Sequence, residues 1–326
     1  MDIYQLQRQL FRDVTDRESV AFSRVLNAYR EALFESVNRF DIVARLIEER
    51  IASGNTAIVA LELERFRLNR FIVELREILA VAAGASVSET ATYRARLAEF
   101  GDLHANLLLE NGAAAAKLDL QFNRVSLPAI QALIGQLDAQ SPLAELFNSI
   151  TTDGATKIGK LIEQSIIAGE NPRDLGRHIR DQFDVSTQRA LTIARTESMR
   201  AYRGATQENY RLNARFLRGW RWSASLSDRT CAACIASHGT EHPIEEPFGS
   251  HPNCRCSPIP IVIGDDRPFV SGPDWFSKQD KSLQRKVLNR KGLAIYESGT
   301  PLTDWVHETT DPRWGRSRQA RTPKSN

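Results

Sequence analysis

The sequence predicts a mostly α protein with one small α+β unit: an N-terminal helical bundle or arm, central helices joined to a short β-ribbon, and a short helical C-terminal extension. Three observations lead there. Apolar residues recur at steps of three and four through much of residues 1–150, the spacing of one helix face. All four cysteines fall within residues 231–256. Stretches that alternate large apolar residues with polar or proline residues flank that cluster on both sides, as strands would. With 42% hydrophobic and 25% charged residues over 326 positions, the chain can bury cores and divide into two or more units, which excludes a natively disordered protein.

In the N-terminal part, Phe22, Val25, Tyr29, Leu33, Val37, Phe40, Val43, Ile47 and Ile51 mark a first helix, which Gly54 ends and after which Asn55 caps the next. Leu61, Leu68, Ile72, Leu75 and Leu79 mark a second that stops near Gly84. Tyr93, Leu97, Phe100, Leu103 and Leu107 mark a third, from about Ser88 to Glu110. Three such helices with short connections form a bundle or arm over residues 1–150, with His104 an ordinary helix residue. Pro128 and Pro142 each sit near a helix start.

From Asp153, Ile158, Leu161, Ile162, Ser165 and Ile166 share a face, and Gly169 terminates that helix. Asn171-Pro172 starts another by the cap-then-proline rule, burying Leu175, Ile179 and Phe183, and a further helix runs from Thr187 to about Phe216. Beyond its small-residue side, this helix and its extension carry Arg195, Arg200, Arg203, Arg211, Arg215, Arg218, Arg221 and Arg229 against only Glu197, Glu208 and Asp228. Such a run reads either as a solvated face or as a contact for phosphate or an acidic partner. The net charge of +3 is small, so any nucleic-acid contact has to come from local clustering.

Cys231-x-x-Cys234 and His251-x-x-Cys254-x-Cys256 supply soft thiolates and an imidazole at the spacing tetrahedral Zn²⁺ takes. Five candidates, Cys231, Cys234, His251, Cys254 and Cys256, compete for four places. One structural zinc per chain is expected, because a loop and two strands have too little core to order themselves. The strand Trp220–Ala224 leads into the cluster. Residues 256–263 form its partner, and Pro258 and Pro260, lacking N–H groups on one edge, restrict pairing to one side. A catalytic zinc with Glu241, Glu245 or Glu246 as base is a rival reading, and disulfides are another if the chain meets an oxidising medium. His238 and His242 read as exposed polar residues. No Ser/His/Asp set, phosphate-cradling glycine loop or acid pair is evident, so no catalytic residue is assigned.

A small helical extension spans residues 264–310, its helical part beginning at Gly272, with Ser277 as cap, Leu283, Val287 and Leu288 as contacts and Gly292 as a break. Trp305 follows. Arg313, Trp314, Arg316, Arg318, Arg321 and Lys324, with no acid after Asp311, read as a disordered basic tail over 311–326, either a solvated terminus or a docking arm for DNA or a capsid partner. No apolar run approaches the ~18 residues of a membrane span and the start lacks a signal-peptide pattern, so a soluble protein made in a reducing cytoplasm is expected.

Ala194-Arg195-Thr196-Glu197, Asp228-Arg229-Thr230-Cys231-x-x-Cys234 and His251-Pro252-Asn253-Cys254-Arg255-Cys256, in that order after the helix pair ending at Phe183, resemble the Mu F-like head-morphogenesis family of tailed phages, the minor head or minor capsid proteins. The resemblance covers about residues 150–263, giving a Mu F-like domain at 151–263. It implies a non-enzymatic virion component, low in copy number, acting in head assembly at the portal vertex. Its implied partners are the portal protein and other capsid or scaffold proteins, with phage DNA a further contact. The implied location is the capsid interior or portal vertex, reached from the host cytoplasm. The rival readings are a zinc-dependent nucleic-acid-binding protein outside any capsid and a zinc hydrolase. Arg195 and Glu197, two apart on a helix, cannot pair with each other. One of them is expected to pair with the Asp228-Arg229 turn, giving Glu197, Asp228 and Arg229 structural roles.

Overall fold

The computed structural model describes residues 2–53, 58–140, 142–168, 172–311 and 315–323. Its α-helices among these are α1 (Ile3–Ala52), α2 (Ile58–Ala115), α3 (Leu127–Gln140), α4 (Leu143–Ala168), α5 (Pro172–Leu212), α6 (Ala232–Ser237), α7 (Gly272–Ser277) and α8 (Lys281–Glu297). The strands are β1 (Leu217–Ser223), β2 (Glu241–His242), β3 (Ser257–Val262), β4 (Val306–Asp311) and β5 (Gly315–Ala320). The fold is mostly α with a small sheet region, as the sequence predicts. No described helix is long and apolar enough to cross a membrane.

Two compact units share the long helices: Met1–Arg17, Arg94–Ser141 and Arg195–Asn326 make the first, Glu18–Tyr93 and Pro142–Ala194 the second. Among its described residues the second contains helices and no strand. Phe22, Val25, Tyr29, Phe40, Phe71, Leu75, Phe147, Ile158, Ile179 and Phe183 are buried in it, and Arg39 bridges Glu35 and Glu74 on its surface. The helices are fewer and longer than the sequence reading. Helix α2 runs straight through Gly84, where a Cβ would meet nothing within 4 Å and no left-handed turn forms. A glycine there costs only about 1 kcal/mol of helix propensity, which flanking apolar turns on both sides outweigh. Likewise α5 is continuous through Thr187, and α4 begins ten residues before Asp153, directly after Pro142. The expected stop at Gly54, the caps Asn55 and Asn171, the terminator Gly169, and the side chains of Ile47, Ile51, Leu61, Ser165 and Ile166 lie outside the described residues.

In the first unit α2 and α5 cross closely. A Cβ at Gly101 would sit 2.2 Å from the Tyr202 carbonyl oxygen, so only glycine permits this approach. Asp102 then ties three segments together, its Oδ1 accepting from the Val125 N–H at 2.9 Å and from Asn209 Nδ2 at 2.7 Å. His104 is buried against Tyr202, 3.2 Å from its hydroxyl. Burial holds His104 down to about 4, and burial with Arg221 and Arg8 nearby does the same to His238. Both rings stay neutral in the fold while the unfolded chain protonates near 6.5. Stability is therefore full above that pH and falls as pH drops from 6.5 toward 4, by about 2 kcal/mol per ring at about pH 5. Denaturant titrations at about pH 7 and pH 5 should show a smaller pH difference for His104→Gln than for the parent chain.

The three-stranded sheet has the order β2-β1-β3, antiparallel throughout, with Trp220 opposite Pro260 and Trp222 opposite Pro258. β3 pairs on one side only, as its two prolines require. Beyond it, Ser271 caps α7 by accepting from the Asp274 N–H, and Asp280 caps α8 by accepting from the Leu283 N–H. Ser277 is thus the last residue of α7 rather than a cap, and α8 continues through Gly292, with a kink at Asn289 (φ 59°). A Cβ on Gly272 would lie 1.7 Å from the Ile235 carbonyl oxygen, where α7 presses on α6. Gly272→Ala is expected to cost at least about 2 kcal/mol, read as a lowered Tm.

The basic tail contains order where disorder was expected. β4 and β5 form a hairpin in which Glu308 stands opposite Arg318 and accepts from both Arg316 and Arg318. Ser317 is fully buried, and Arg318 lies over the Trp222 ring at 5.5 Å. Arg313, Trp314 and Lys324 lie outside the described residues.

Candidate metal centre

The cluster is assembled by one short helix and one turn. Cys231 is the extended N-cap residue of α6 and Cys234 lies in its first turn, so the i, i+3 spacing sets both sulfurs on one side. The second half is the His251–Cys254 turn, closed by the Cys254 N–H donating to the His251 carbonyl at 3.3 Å. Asn253 adopts a left-handed conformation there (φ 66°), which asparagine tolerates better than most residues.

The ligand atoms converge. His251 Nε2 is 3.3 Å from Cys231 Sγ and 3.2 Å from Cys234 Sγ, and Cys234 Sγ is 3.7 Å from Cys254 Sγ. Tetrahedral zinc with its usual bond lengths separates two thiolates by about 3.7 Å and a thiolate from an imidazole nitrogen by about 3.5 Å, so the spacing fits the ion. Cys231, Cys234 and His251 form one mutually close trio, and Cys234, Cys254 and Cys256 another. Cys234 belongs to both. Nδ1 of His251 lies 2.7 Å from the Pro252 carbonyl oxygen, which makes Nδ1 the donor and leaves Nε2 to face the sulfurs. The Cys256 N–H donates to Cys254 Sγ at 3.4 Å, a contact that favours thiolate there.

The electrostatics agree. A hydrogen bond with Cys234, helped by His251 and opposed by burial, brings the Cys231 thiol down to about 5. Burial opposes protonation of His251, but Cys231 and Cys254 outweigh it and lift the ring to about 11. A cation is thus already favoured among these sulfurs, and a divalent ion that takes the place of the imidazole proton satisfies the same field.

Helix α5 holds the turn from behind. Arg203 is 4% exposed and donates through Nε to the Cys256 carbonyl at 2.8 Å, through Nη2 to the Cys254 carbonyl at 2.7 Å, and through Nη1 to Ser250 Oγ at 2.6 Å. About two turns earlier, Thr196 Oγ1 accepts from the Asn253 N–H at 3.0 Å, and Arg195 donates to the Asn253 side chain. The Arg-Thr-Glu triplet and the His-Pro-Asn-Cys turn are therefore two halves of one contact. Sequence reasoning singled out both motifs but not their union, and it assigned Arg203 to an exposed phosphate-type face. That assignment is corrected by its burial and its three fixed acceptors.

The expected link from Arg195 or Glu197 to the Asp228-Arg229 turn does not form. Glu197 is fully buried and pairs with Arg200 at 3.1 Å and Arg94 at 3.9 Å, while Asp228 pairs with Lys286 of α8. Arg229 is exposed. The other arginines of the run are dispersed: Arg211 pairs with Glu208, Arg218 with Asp266 and Arg221 with Glu241, while Arg215 covers the Phe216 ring. His238 and His242, read as exposed, are buried. His238 Nδ1 accepts from the Ala224 N–H at 2.9 Å, and His242 stacks on Trp220 at 4.2 Å. Glu246 is engaged by His242, Arg316 and Arg318, and Glu241 by Arg221. Among the described residues lining the concavity beside the cluster, none is an aspartate or glutamate.

Comparisons with known proteins fall on this same region. Residues 156–259 match the family model described as Phage Mu protein F like protein. An uncharacterized protein of Haemophilus influenzae (strain Rd) is 26% identical over 152 residues, which cover 43% of this chain and 32% of that protein. The match thus takes in about a third of the length of this curated relative. No solved structure matches. The recognition made from the motifs holds over the segment that builds the cluster: residues 156–259 are similar to the phage Mu protein F-like family.

Proposed function

We propose that the chain is a phage or prophage minor head protein, a structural virion component acting in head morphogenesis at the portal vertex, with one structural zinc and a surface that meets DNA. The observation that supports this best is a coincidence: the matched segment contains both the α5 residues Arg195, Thr196 and Arg203 and the Ser250–Cys256 stretch they hold. Its partners on this reading are the portal and other capsid or scaffold proteins, and its place is the virion after assembly in the host cytoplasm.

Zinc suits the donor set. Cys231, Cys234, His251 and Cys254 would hold it, since His251 Nε2 approaches both sulfurs of the C-x-x-C pair and Cys234 approaches Cys254. Cys256 then serves through its backbone, donating to Cys254 and accepting from Arg203. The ion's contribution is a cross-link between α6 and the turn that precedes β3. A hydrolytic role lacks support, because the loop glutamates that could act as base are engaged in ion pairs or exposed away from the cluster's lining.

Co-expression with the portal protein of the same phage genome tests the assembly role. Stable co-purification of the metal-loaded chain with portal rings is expected. A chain that carries its metal and folds yet never associates with portal or procapsids would remove the head-protein reading.

A further inference from the structure

We infer that a cationic groove beside the metal cluster, built by Arg8, Arg12, Arg229 and Arg255, binds the phosphodiester backbone of a nucleic-acid strand. Two adjoining concavities in the first unit share Phe11, Thr15, Ser225 and Arg255, so they form one continuous trough. Arg8 and Arg12 line one end, from the start of α1, and Arg229 lines the other, on the turn before Cys231. The acid in its lining is Asp16.

Apart from Arg229, these arginines lie outside the run the sequence singled out for phosphate. That run is mostly spent in ion pairs or burial, whereas Arg8, Arg12 and Arg229 are exposed and come together only through folding. Helix α1 supplies two of them from the opposite end of the chain. A zinc site of three thiolates and one imidazole carries a net negative charge that would repel an anion. The buried Arg203 guanidinium behind the Cys254 and Cys256 carbonyls offsets it, so the exposed Arg8, Arg12 and Arg229 set the charge an anion meets.

The remaining lining favours a phosphodiester over an acidic peptide. The Ser225 hydroxyl adds a neutral polar group suited to phosphate oxygens, and the half-buried Phe11 ring offers a surface for a base. An acidic helix or strand would need apolar anchor pockets, and Phe11 is the large apolar side chain in the lining common to both concavities. The inference rests on the proposed role in which the chain meets DNA, and it names where.

The test uses the full-length, metal-loaded chain and a fluorescein-labelled oligonucleotide of roughly 20 nucleotides, single-stranded and duplex, followed by anisotropy over a salt series. The Arg8→Gln/Arg12→Gln/Arg229→Gln variant should bind at least about tenfold more weakly, with a salt slope shallower by roughly two, while Arg211→Gln/Arg215→Gln binds like the parent. Metal content and far-UV circular dichroism of each sample show that fold and cluster are intact. Equal binding by both variants, or loss confined to the Arg211/Arg215 variant, overturns the groove. Displacement of the strand by millimolar inorganic phosphate would mark a free-anion site instead and overturn the strand reading. Portal association is measured apart, so a failed groove leaves the head role standing, and the reverse.

Discussion

Cys234→Ser is expected to release the metal and unfold the ribbon built by β1, α6 and β3. Cys234 is the one cysteine common to both close trios, so its loss opens whichever four-donor set is used. Structural zinc contributes roughly 10 kcal/mol or more in small metal-folded peptides, and a share of that size exceeds what a short three-stranded sheet supplies alone. The near-ultraviolet circular dichroism of Trp220 and Trp222, both buried in the core that includes Cys234, Cys254 and Cys256, should collapse toward the unfolded signal. Helical far-ultraviolet signal from the second unit should survive. Cys256→Ser is the informative contrast: with His251 as fourth ligand it keeps the metal, whereas His251→Asn loses it. A Cys256→Ser chain that is metal-free beside a metal-bound His251→Asn chain would assign the four cysteines instead.

The second large effect is expected at Arg203. Alanine there strands two buried carbonyls and the Ser250 hydroxyl at once and removes the cation that faces Phe248 at 5.0 Å. Breaking such a buried charged network costs about 3–5 kcal/mol, enough to lower Tm by many degrees. Lysine rescues little, because a single ammonium cannot span three acceptors that the planar fork reaches together. The metal should also leave faster in a chelator competition, since the Cys254–Cys256 backbone loses its anchor. An Arg203→Ala chain that melts and releases metal like the parent would show that α5 does not hold the turn.

The cysteine cluster and its two flanking strands were legible because their signals are local: ligand spacing, alternation and proline placement all lie within a few residues. The long helices were legible as faces but not as lengths. Gly84 looked like a stop, yet a stop needs a left-handed residue and a capping contact, neither of which the residue type alone guarantees. Arg203 shows the deeper limit. Its charge put it with Arg211 and Arg215 in one row, but the acceptors that bury it are carbonyls some fifty residues onward, and backbone carbonyls carry no sequence signature. The tail misled in a related way. Its arginines read as a disordered basic terminus, whereas Glu308 across the hairpin and Glu246 in the loop neutralise Arg316 and Arg318. His238 and His242 looked solvated for want of any cue that Phe269 and Trp220 would cover them.

The central claim is that zinc staples this fold, and native mass spectrometry of the purified chain with and without chelator tests it most directly. A mass increment of one zinc per chain, lost together with the Trp220 and Trp222 near-ultraviolet signal on chelation, is the result the account requires. A metal-free chain whose ribbon is fully ordered in reducing buffer would contradict it.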